Sequence, residues 1–333
     1  MNEDYLRIVD SFPFVDEIRG CRFVITGATG LIGRTLVKCL VFLGQKYDLN
    51  LSVCCPVRNK KKALELLPEA VELLDYKIEP SLFDGVDYVV HGACPTSSRY
   101  FVEHPVETFD TIVSQTLQLL NSVQASKSLK GIVYLSSLES YGIITDEDLV
   151  YEERQGYIDP MSVRSCYSMG KRAAETLCHC YAKEYEIPVR IARLTQTFGS
   201  HVSETDNRVY AQFARCVAKG EDIVLHTSGL SSKPYLFDVD AVNAILYILV
   251  KGQDGNVYNV ANENTYMSVS EMAEFLCKEF NPKCKITFEN IQQNIYAPET
   301  HLRLDTSKLR SLGWMPMFGK KEMFEKLINN ILR

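Results

Sequence analysis

The first half of the chain alternates short apolar runs with amphipathic helical patterns. Five apolar runs predict strands, at 21–26, 51–57, 86–91, 131–136 and 189–194. Helical periodicity lies between several of them, at 34–43, 105–126 and 165–186. Strands that alternate with helices at this spacing are typical of a parallel sheet covered on both faces. We therefore predict an α/β fold, with a Rossmann-type doubly wound parallel sheet.

The pattern is less regular after residue 194. Residues 195–207 are polar and show no clear period. Further helical periods and one strand pattern occur at 208–219, 268–280 and 255–260. We predict two units in the chain. They are a dinucleotide-binding domain over 1–194, with returning elements at about 235–262, and a smaller C-terminal substrate-binding lobe over 195–234 and 263–333.

A glycine-rich turn joins the first predicted strand to the first helix. Its spacing, Gly-x-x-Gly-x-x-Gly, differs by one residue from the usual dinucleotide-binding pattern. Such a turn lets the backbone approach a pyrophosphate closely and directs the N-terminus of the next helix at it. The residues predicted to bind the cofactor here are Gly27, Thr29, Gly30, Leu31, Ile32 and Gly33.

The second predicted strand ends without a carboxylate. An acidic residue at this position usually binds the ribose hydroxyls of the adenosine in NAD. Here the strand continues into Arg58, Asn59 and three lysines at 60–62. Arg58 is therefore a candidate cofactor residue that faces the 2′-phosphate of NADP, or it belongs to a solvated basic turn. The sequence is compatible with NAD and with NADP.

Tyr167 and Lys171 lie four residues apart in a predicted helix and so share one of its faces. Lowering a phenol pKa from its ordinary value to neutrality needs about 4 kcal/mol. One cation at about 4 Å in a partly shielded site supplies a similar amount, so Lys171 could make Tyr167 a base. The same spacing recurs at Tyr247 and Lys251, inside an apolar stretch. Spacing alone therefore does not identify the site.

Several motifs occur in the order found in one enzyme family. They are Thr26-Gly27-x-x-Gly30-x-x-Gly33, His91-Gly92-Ala93, Ser136-Ser137-x-Glu139-x-Tyr141-Gly142 and Tyr167-x-x-x-Lys171. In this order they resemble the extended short-chain dehydrogenase/reductases, the NAD-dependent epimerase/dehydratase family, over most of the chain. Around Tyr167 the sequence looks most similar to UDP-glucuronate decarboxylases. The resemblance implies an NAD-dependent enzyme that acts on a nucleotide-linked sugar.

The resemblance also implies roles for individual residues. Tyr167 removes the proton of a sugar hydroxyl, at C4, while hydride passes to the cofactor, and Ser137 stabilises charge on the reacting oxygen. Lys171 lowers the pKa of Tyr167 and anchors the cofactor ribose. Glu139 is the second acid or base, which decides between epimerisation and decarboxylation after oxidation. Ala93 is a further expected cofactor contact.

Substrate contacts are expected at the carboxyl ends of the strands, where doubly wound sheets bind ligands. The candidates are Thr96, Ser97, Tyr100, Gln196, Arg208 and Lys233. Two of them depart from the family pattern. Gln196 replaces the usual Asn, and Lys233 replaces an Arg, which removes a bidentate contact to the substrate diphosphate. Leu138 replaces the Asp of the family's 4,6-dehydratases, which argues against that reaction.

Composition limits the other classes of function. The chain has 333 residues, a net charge of -6 and no face rich in Lys and Arg, so nucleic acid is not an expected partner. No apolar run is long enough to span a membrane. Eleven cysteines without ligand spacing indicate reduced thiols in the cytoplasm and no metal site. The resemblance implies a homodimer, formed through the helix at 105–126 and the helix that carries Tyr167.

Three functions are compatible with these features. The first is a nucleotide-sugar epimerase, decarboxylase or related enzyme whose cofactor is recycled. The second is a net NADPH-dependent reductase of a sugar or sugar phosphate, suggested by Arg58. The third is a non-catalytic dinucleotide-binding scaffold, against which the complete set of Ser137, Tyr167 and Lys171 argues. The stoichiometry of cofactor consumption separates the first two functions.

Overall fold

A computed structural model describes residues 2–200, 202, 206–289 and 299–332. Its strands within these residues are β1 (Arg22–Thr26), β2 (Ser52–Val57), β3 (Glu72–Asp75), β4 (Tyr88–His91), β5 (Gly131–Ser137), β6 (Val189–Leu194), β7 (Gln196–Phe198), β8 (Ile223–Leu225), β9 (Ser232–Phe237), β10 (Val257–Val260), β11 (Asn262–Ser268) and β12 (Ile286–Phe288). Its helices there are α1 (Asn2–Ser11), α2 (Leu31–Tyr47), α3 (Lys60–Leu66), α4 (Ser98–Glu103), α5 (Pro105–Val123), α6 (Ser165–Glu184), α7 (Val209–Lys219), α8 (Asp238–Lys251), α9 (Val269–Phe280), α10 (Ser307–Arg310) and α11 (Lys320–Ile331).

Seven strands form one parallel sheet in the order β10-β6-β5-β4-β1-β2-β3. All four residues of β4 and four of the five residues of β1 are buried, as expected for strands covered on both faces. The direction of chain order reverses between β1 and β4, and this opens a ligand crevice at their carboxyl ends. The sheet confirms the predicted doubly wound Rossmann-type fold.

Helices cover both faces of this sheet. On one face α2 and α8 pack together in a core that contains Leu36 and Leu246. On the other face α5 and α6 pack together in a core that contains Leu119 and Ala174. The second half of the chain adds two smaller sheets, β11-β9-β7 and β12-β8, and returns β10 to the central sheet beside β6.

Prediction and structure differ in the short elements, and also in β9 and β11, which were not predicted. β3 lies at an edge of the central sheet with Glu72 and Asp75 exposed, so its apolar pattern is only two residues long. β7, β8 and β12 have three residues each, too few for a period to appear. The region 195–207 was expected to be irregular, but it contains the strand β7. The first helix after the glycine turn begins at Leu31 rather than at residue 34.

Candidate active site

The glycine turn between β1 and α2 packs closely against the end of β4. Gly27 has a φ of +73°, and a Cβ there would lie 2.7 Å from the carbonyl carbon of Gly92. A Cβ at Gly33 would lie 2.3 Å from the carbonyl oxygen of Gly27, so a larger residue would displace backbone. Gly30 precedes α2 without a side-chain cap, which leaves the N–H groups of the first turn for a phosphate. These features fit the pyrophosphate of a dinucleotide.

Ala93 lies against the same turn. Its N–H donates to Oγ1 of Thr26 at 3.3 Å, and Oγ1 also forms a hydrogen bond with Nδ1 of His91 at 2.8 Å. Burial lowers the pKa of His91 to about 3, so this imidazole is neutral at physiological pH. The Thr26–His91 bond holds the ends of β1 and β4 together where the cofactor is expected.

Tyr167 lies in the first turn of α6, beside the end of β5. Its ring stacks on Phe101, with the ring centres 4.3 Å apart and the planes inclined by 10°. The hydroxyl of Ser137 lies close enough to act as a hydrogen-bond partner that lowers the pKa of Tyr167. Ser137 in turn accepts a hydrogen bond from the N–H of Glu139 at 3.2 Å. The fold thus brings together three of the four predicted catalytic residues.

Lys171 is buried on the same side of α6. Its Nζ donates to the carbonyl oxygen of Leu135 on β5 at 2.6 Å and lies 4.8 Å from the ring centre of Tyr134. The distance from Nζ to the ring centre of Tyr167 is 5.8 Å. The ammonium is therefore directed at a backbone carbonyl rather than at the phenol, because a buried ammonium needs hydrogen-bond acceptors.

The pKa of Tyr167 does not follow the expectation from spacing. Burial raises it well above the ordinary value of a phenol, and the nearby charge of Glu139 raises it further. The hydrogen bond with Ser137 and the charge of Arg208 act in the opposite direction. The predicted net lowering of this pKa by Lys171 is therefore not found. Tyr167 needs additional positive charge nearby to act as a base at neutral pH.

Glu139 lies in a short 3₁₀ turn, Leu138–Tyr141, that follows β5. Its Oε2 accepts a hydrogen bond from Oγ of Ser168 at 3.4 Å. Burial lowers the pKa of Lys233, and the charge of Glu139 opposes that change. Because Glu139 also acts on the pKa of Tyr167, its carboxylate lies near both the phenol and Lys233 of β9. The site therefore receives groups from both the central sheet and the smaller β11-β9-β7 sheet.

The other predicted substrate residues lie in the loops and strand after β4 and β6. Ser97 is the N-cap of α4, and its Oγ accepts a hydrogen bond from the N–H of Tyr100 at 3.5 Å. The ring of Tyr100 packs on His104 with the ring centres 4.5 Å apart. Thr96 is exposed, and Gln196 is half-buried at the start of β7. All four lie towards the carboxyl edge of the sheet, as expected of a substrate pocket.

Arg208 is bound by a carboxylate of its own loop. Its Nε donates to Oδ1 of Asp206 at 2.9 Å and to Oδ2 at 3.1 Å. The hydroxyl of Tyr210 donates to the same carboxylate at 3.0 Å. Arg208 and Tyr167 affect each other's pKa, which places the guanidinium near the phenol. An anionic substrate group would have to share Arg208 with Asp206.

Comparison with known proteins decides the family. Residues 23–261 match the model of the NAD dependent epimerase/dehydratase family. The chain belongs to this family. It is 29% identical to UDP-glucuronic acid decarboxylase 3 of Arabidopsis thaliana, over 90% of this chain and 86% of that protein. It is 28% identical to UDP-glucuronic acid decarboxylase 1 of Danio rerio, over 96% of this chain and 75% of that protein.

Solved structures show the same fold. UDP-glucose 4-epimerase of Thermotoga maritima has a TM-score of 0.79 and 20% identity, over 93% of this chain and 98% of that chain. UDP-glucuronic acid 4-epimerase of Bacillus cereus, in complex with UDP-glucuronic acid and NAD, has a TM-score of 0.76 and 19% identity, with the same coverage. The family inferred from motifs is thus confirmed, and with it an enzyme of NAD-dependent epimerase/dehydratase type.

A buried ion pair between Arg193 and Glu175 supports the site, and the sequence analysis did not predict it. Nη2 of Arg193 donates to Glu175 at 2.6 Å, and the two side chains are 6% and 8% exposed. Glu175 also accepts from Oγ of Ser136, and Arg193 donates to the carbonyl of Glu152 at 2.7 Å. The available signals were a charge inside the apolar strand β6 and an acid one turn after Lys171. Buried charges need partners, but the sequence does not show which.

Arg172 also escaped notice, although it fixes the turn that carries Glu139. Its guanidinium donates to the carbonyl oxygens of Ser140 at 2.7 Å, Tyr141 at 2.9 Å and Gly156 at 2.8 Å. Three bonds from one planar guanidinium tie α6 to two separate loops. The position of Glu139 relative to Tyr167 therefore depends on Arg172.

The second Tyr-x-x-x-Lys pair lies on α8 and has other partners. The hydroxyl of Tyr247 donates to the carbonyl oxygen of Ser11. Nζ of Lys251 lies 2.6 Å from Oε1 of Glu17. Both contacts fasten α8 to the N-terminal segment, so this pair has a packing role.

Cysteine thiols are the other reactive groups in the described residues. All eleven cysteines lie among them and are unpaired. No group of three His, Cys, Asp or Glu side chains in this part of the chain is arranged to hold a metal ion. None of the helices described above is both long and apolar enough to cross a bilayer.

Proposed function

We propose that this chain oxidises a hydroxyl of a nucleotide-linked sugar, at C4, and then epimerises or decarboxylates a neighbouring carbon before the hydride returns. One observation carries the proposal. Tyr167 lies close to Ser137 and Glu139 at the carboxyl end of β5, and the glycine turn follows β1 at the same edge of the parallel sheet. The similarity to proteins named UDP-glucuronic acid decarboxylase supports a UDP-sugar as the substrate.

Each residue of the site contributes through its position. A bound nicotinamide dinucleotide supplies the hydride acceptor. Tyr167 accepts the proton of the sugar hydroxyl, and its stacking on Phe101 holds the ring in one plane. Ser137 donates to the same oxygen as negative charge develops there. Lys171, fixed on the carbonyl of Leu135, keeps its other N–H groups for the cofactor ribose.

Glu139 is placed for the step after oxidation. A ketone at C4 makes the neighbouring C–H bond acidic and a neighbouring carboxylate labile. The Glu139 carboxylate lies near enough to Tyr167 and to Lys233 to act on the pKa of both. It can therefore move a proton at the neighbouring carbon, while Lys233 offers a positive charge to an anionic group of the substrate.

Replacing Glu139 by Gln is expected to lower turnover by about 10²–10⁴-fold and to make a keto sugar accumulate, because oxidation proceeds while the next proton transfer fails. The keto sugar is measured by quenching with borodeuteride and mass analysis of the deuterated product. Glu153, an exposed carboxylate, is the matched control, and Glu153→Gln should behave as the unmodified chain. Normal turnover of Glu139→Gln without a keto sugar would rule out the role proposed for Glu139.

The substrate is tested with a panel of UDP-, dTDP-, GDP- and CDP-sugars, together with mass analysis of nucleotides that co-purify with the protein. A recycling enzyme converts one member of the panel without net cofactor consumption. Arg58 and the missing carboxylate after β2 favour a second candidate, a net NADPH-dependent reductase of a sugar or sugar phosphate. That enzyme would consume one cofactor molecule for each product molecule.

We propose a homodimer that forms through α5 and α6. The outer face of α5 exposes Val106, Phe109 and Leu117, at 75%, 40% and 38%. Aligned apolar side chains of this kind on packed helices are typical of an interface between subunits.

The eleven unpaired cysteines support a reducing compartment, the cytoplasm, for this enzyme.

Replacing Phe109 by Glu is expected to convert the dimer to a monomer, because a carboxylate would be buried without a partner in the interface. Size-exclusion chromatography with light scattering measures the mass of the particle. Leu64 is 70% exposed on α3, which is not one of the two helices of the proposed interface, so Leu64→Glu is the control and should remain dimeric. A monomeric unmodified chain, or a Phe109→Glu variant that stays dimeric, would contradict this interface.

A further inference from the structure

The carboxyl end of β2 lies at the same edge of the sheet as the glycine turn. β1 and β2 run parallel, with Val24 opposite Cys54, so the residue after Val57 lies beside the turn that begins at Gly27. In dinucleotide-binding folds the adenosine ribose of a cofactor on such a turn lies against the end of the second strand. The residue in this place is Arg58, which is exposed.

The segment that directly follows β2 contains no carboxylate for a ribose diol. The segment after β2 is Arg58-Asn59 followed by three lysines. The Oδ1 atom of Asn59 accepts the N–H of Lys62 at 3.0 Å. The neighbouring strand β3 ends in Asp75, whose Oδ1 lies 2.9 Å from Nζ of Lys60. Asp75, which lies opposite Val57, is thus paired with a lysine of the same edge, and the residues after β2 offer no carboxylate to the two hydroxyls of an NAD ribose.

The arrangement of Arg58 fits a different group. Its guanidinium lies over the ring of Tyr76, 4.9 Å from the ring centre. The hydroxyl of Tyr76 donates to Oε1 of Gln115 at 2.5 Å, which fixes the ring that supports the guanidinium. None of the ion pairs found among the described residues involves Arg58. A planar guanidinium held on an aromatic ring, without a carboxylate partner, is suited to binding phosphate oxygens.

We propose that this edge is a binding site for the 2′-phosphate of NADP(H), with Arg58 as the residue that determines specificity. The exposed side chains of Lys61, Lys62 and Lys77 add positive charge around the same position. This chain would then bind a cofactor that differs from the NAD of its family only by the 2′-phosphate on the adenosine ribose. The inference concerns the cofactor, so it does not depend on which sugar reaction is catalysed.

Binding of NADP+, NAD+, 2′,5′-ADP and ADP to the full-length protein, freed of co-purified nucleotide, tests the site by calorimetry without any sugar. We expect NADP+ to bind at least about tenfold more tightly than NAD+, and 2′,5′-ADP more tightly than ADP by a similar factor. Arg58→Gln should remove this preference and leave NAD+ affinity within about twofold, because only the phosphate contact is lost. Arg58→Asp should reverse the preference by restoring a ribose-binding carboxylate.

Arg19→Gln serves as the control, because Arg19 is an exposed arginine that pairs with Asp16 before β1 begins. It removes one positive charge but should keep the preference for NADP+. Equal or tighter binding of NAD+ by the unmodified chain overturns the proposal. Equal weakening of NAD+ and NADP+ by Arg58→Gln also overturns it, since Arg58 would then act on the fold rather than on the phosphate. Failure of every sugar in the panel would leave these binding results unaffected.

Discussion

Replacing Tyr167 by Phe is expected to lower kcat by about 10²–10⁴-fold, because the variant lacks the hydroxyl that exchanges a proton with the sugar. The ring and its stacking on Phe101 are retained, so the unfolding midpoint should change little. Steady-state turnover of the sugar identified in the panel measures the effect. Because Tyr167 must lose its proton to act, kcat/KM of the unmodified chain should rise with pH through the pKa of Tyr167 in the cofactor-bound enzyme before the sugar binds. The variant should lose that rise.

The second Tyr-x-x-x-Lys pair offers a matched control. Tyr247→Phe removes a phenol hydroxyl that donates to the carbonyl of Ser11, with the same change in chemistry as Tyr167→Phe. It should cost about 1 kcal/mol of stability and leave kcat within about twofold, since α8 carries no group of the site. Near-normal turnover of Tyr167→Phe would contradict the proposed role of Tyr167 in the oxidation step. A large loss of kcat in Tyr247→Phe would instead show that removing a phenol hydroxyl lowers turnover by disturbing the fold, so that the result for Tyr167→Phe would not identify a base.

Replacing Glu175 by Ala is expected to lower the free energy of unfolding by about 3–5 kcal/mol, because Arg193 would remain buried without its partner. The pair is 2.6 Å apart and both side chains are buried. Urea denaturation followed by circular dichroism measures the change. Turnover should fall as well, because the Oγ of Ser136, next to Ser137, donates to this carboxylate.

An exposed pair provides the comparison for Glu175. Nε of Arg99 lies 2.7 Å from Glu103, with side chains 81% and 50% exposed, so Glu103→Ala should cost far less stability than Glu175→Ala, because water screens an exposed pair. The double variant Glu175→Leu with Arg193→Met should recover part of the loss, because no uncompensated charge then remains. If Glu175→Ala cost no more than Glu103→Ala, the buried pair would not support the site.

The central sheet could be predicted because burial on both faces leaves a simple pattern. Strands such as β4 and β6 are runs of mostly buried residues, and the helices between them show a clear period. β3 and the three-residue strands were not predicted, since they are short and partly exposed. Their pairing comes from neighbouring strands that are distant in the sequence, such as Gln196 of β7 opposite Tyr235 of β9.

The candidate site divides in the same way. The order of the motifs identified Ser137, Glu139, Tyr167 and Lys171, because residue type and local spacing are properties of the sequence. Their mutual geometry was not predictable from it. A Lys four residues after a Tyr shares a helix face, but whether its Nζ meets the phenol or a carbonyl depends on the adjoining strand. That strand offers the carbonyl of Leu135.

The fold class, the family and the chemical types in the site follow from the sequence alone, because they depend on local periodicity and on motifs a few residues long. Tertiary structure decided which charges neutralise one another. It buried Tyr167 and so raised its pKa, paired Arg208 with Asp206, and set Arg58 on Tyr76 without a carboxylate partner. The physical reason is that burial and electrostatic interaction depend on distances between side chains, and those distances exist only after the strands and helices have packed.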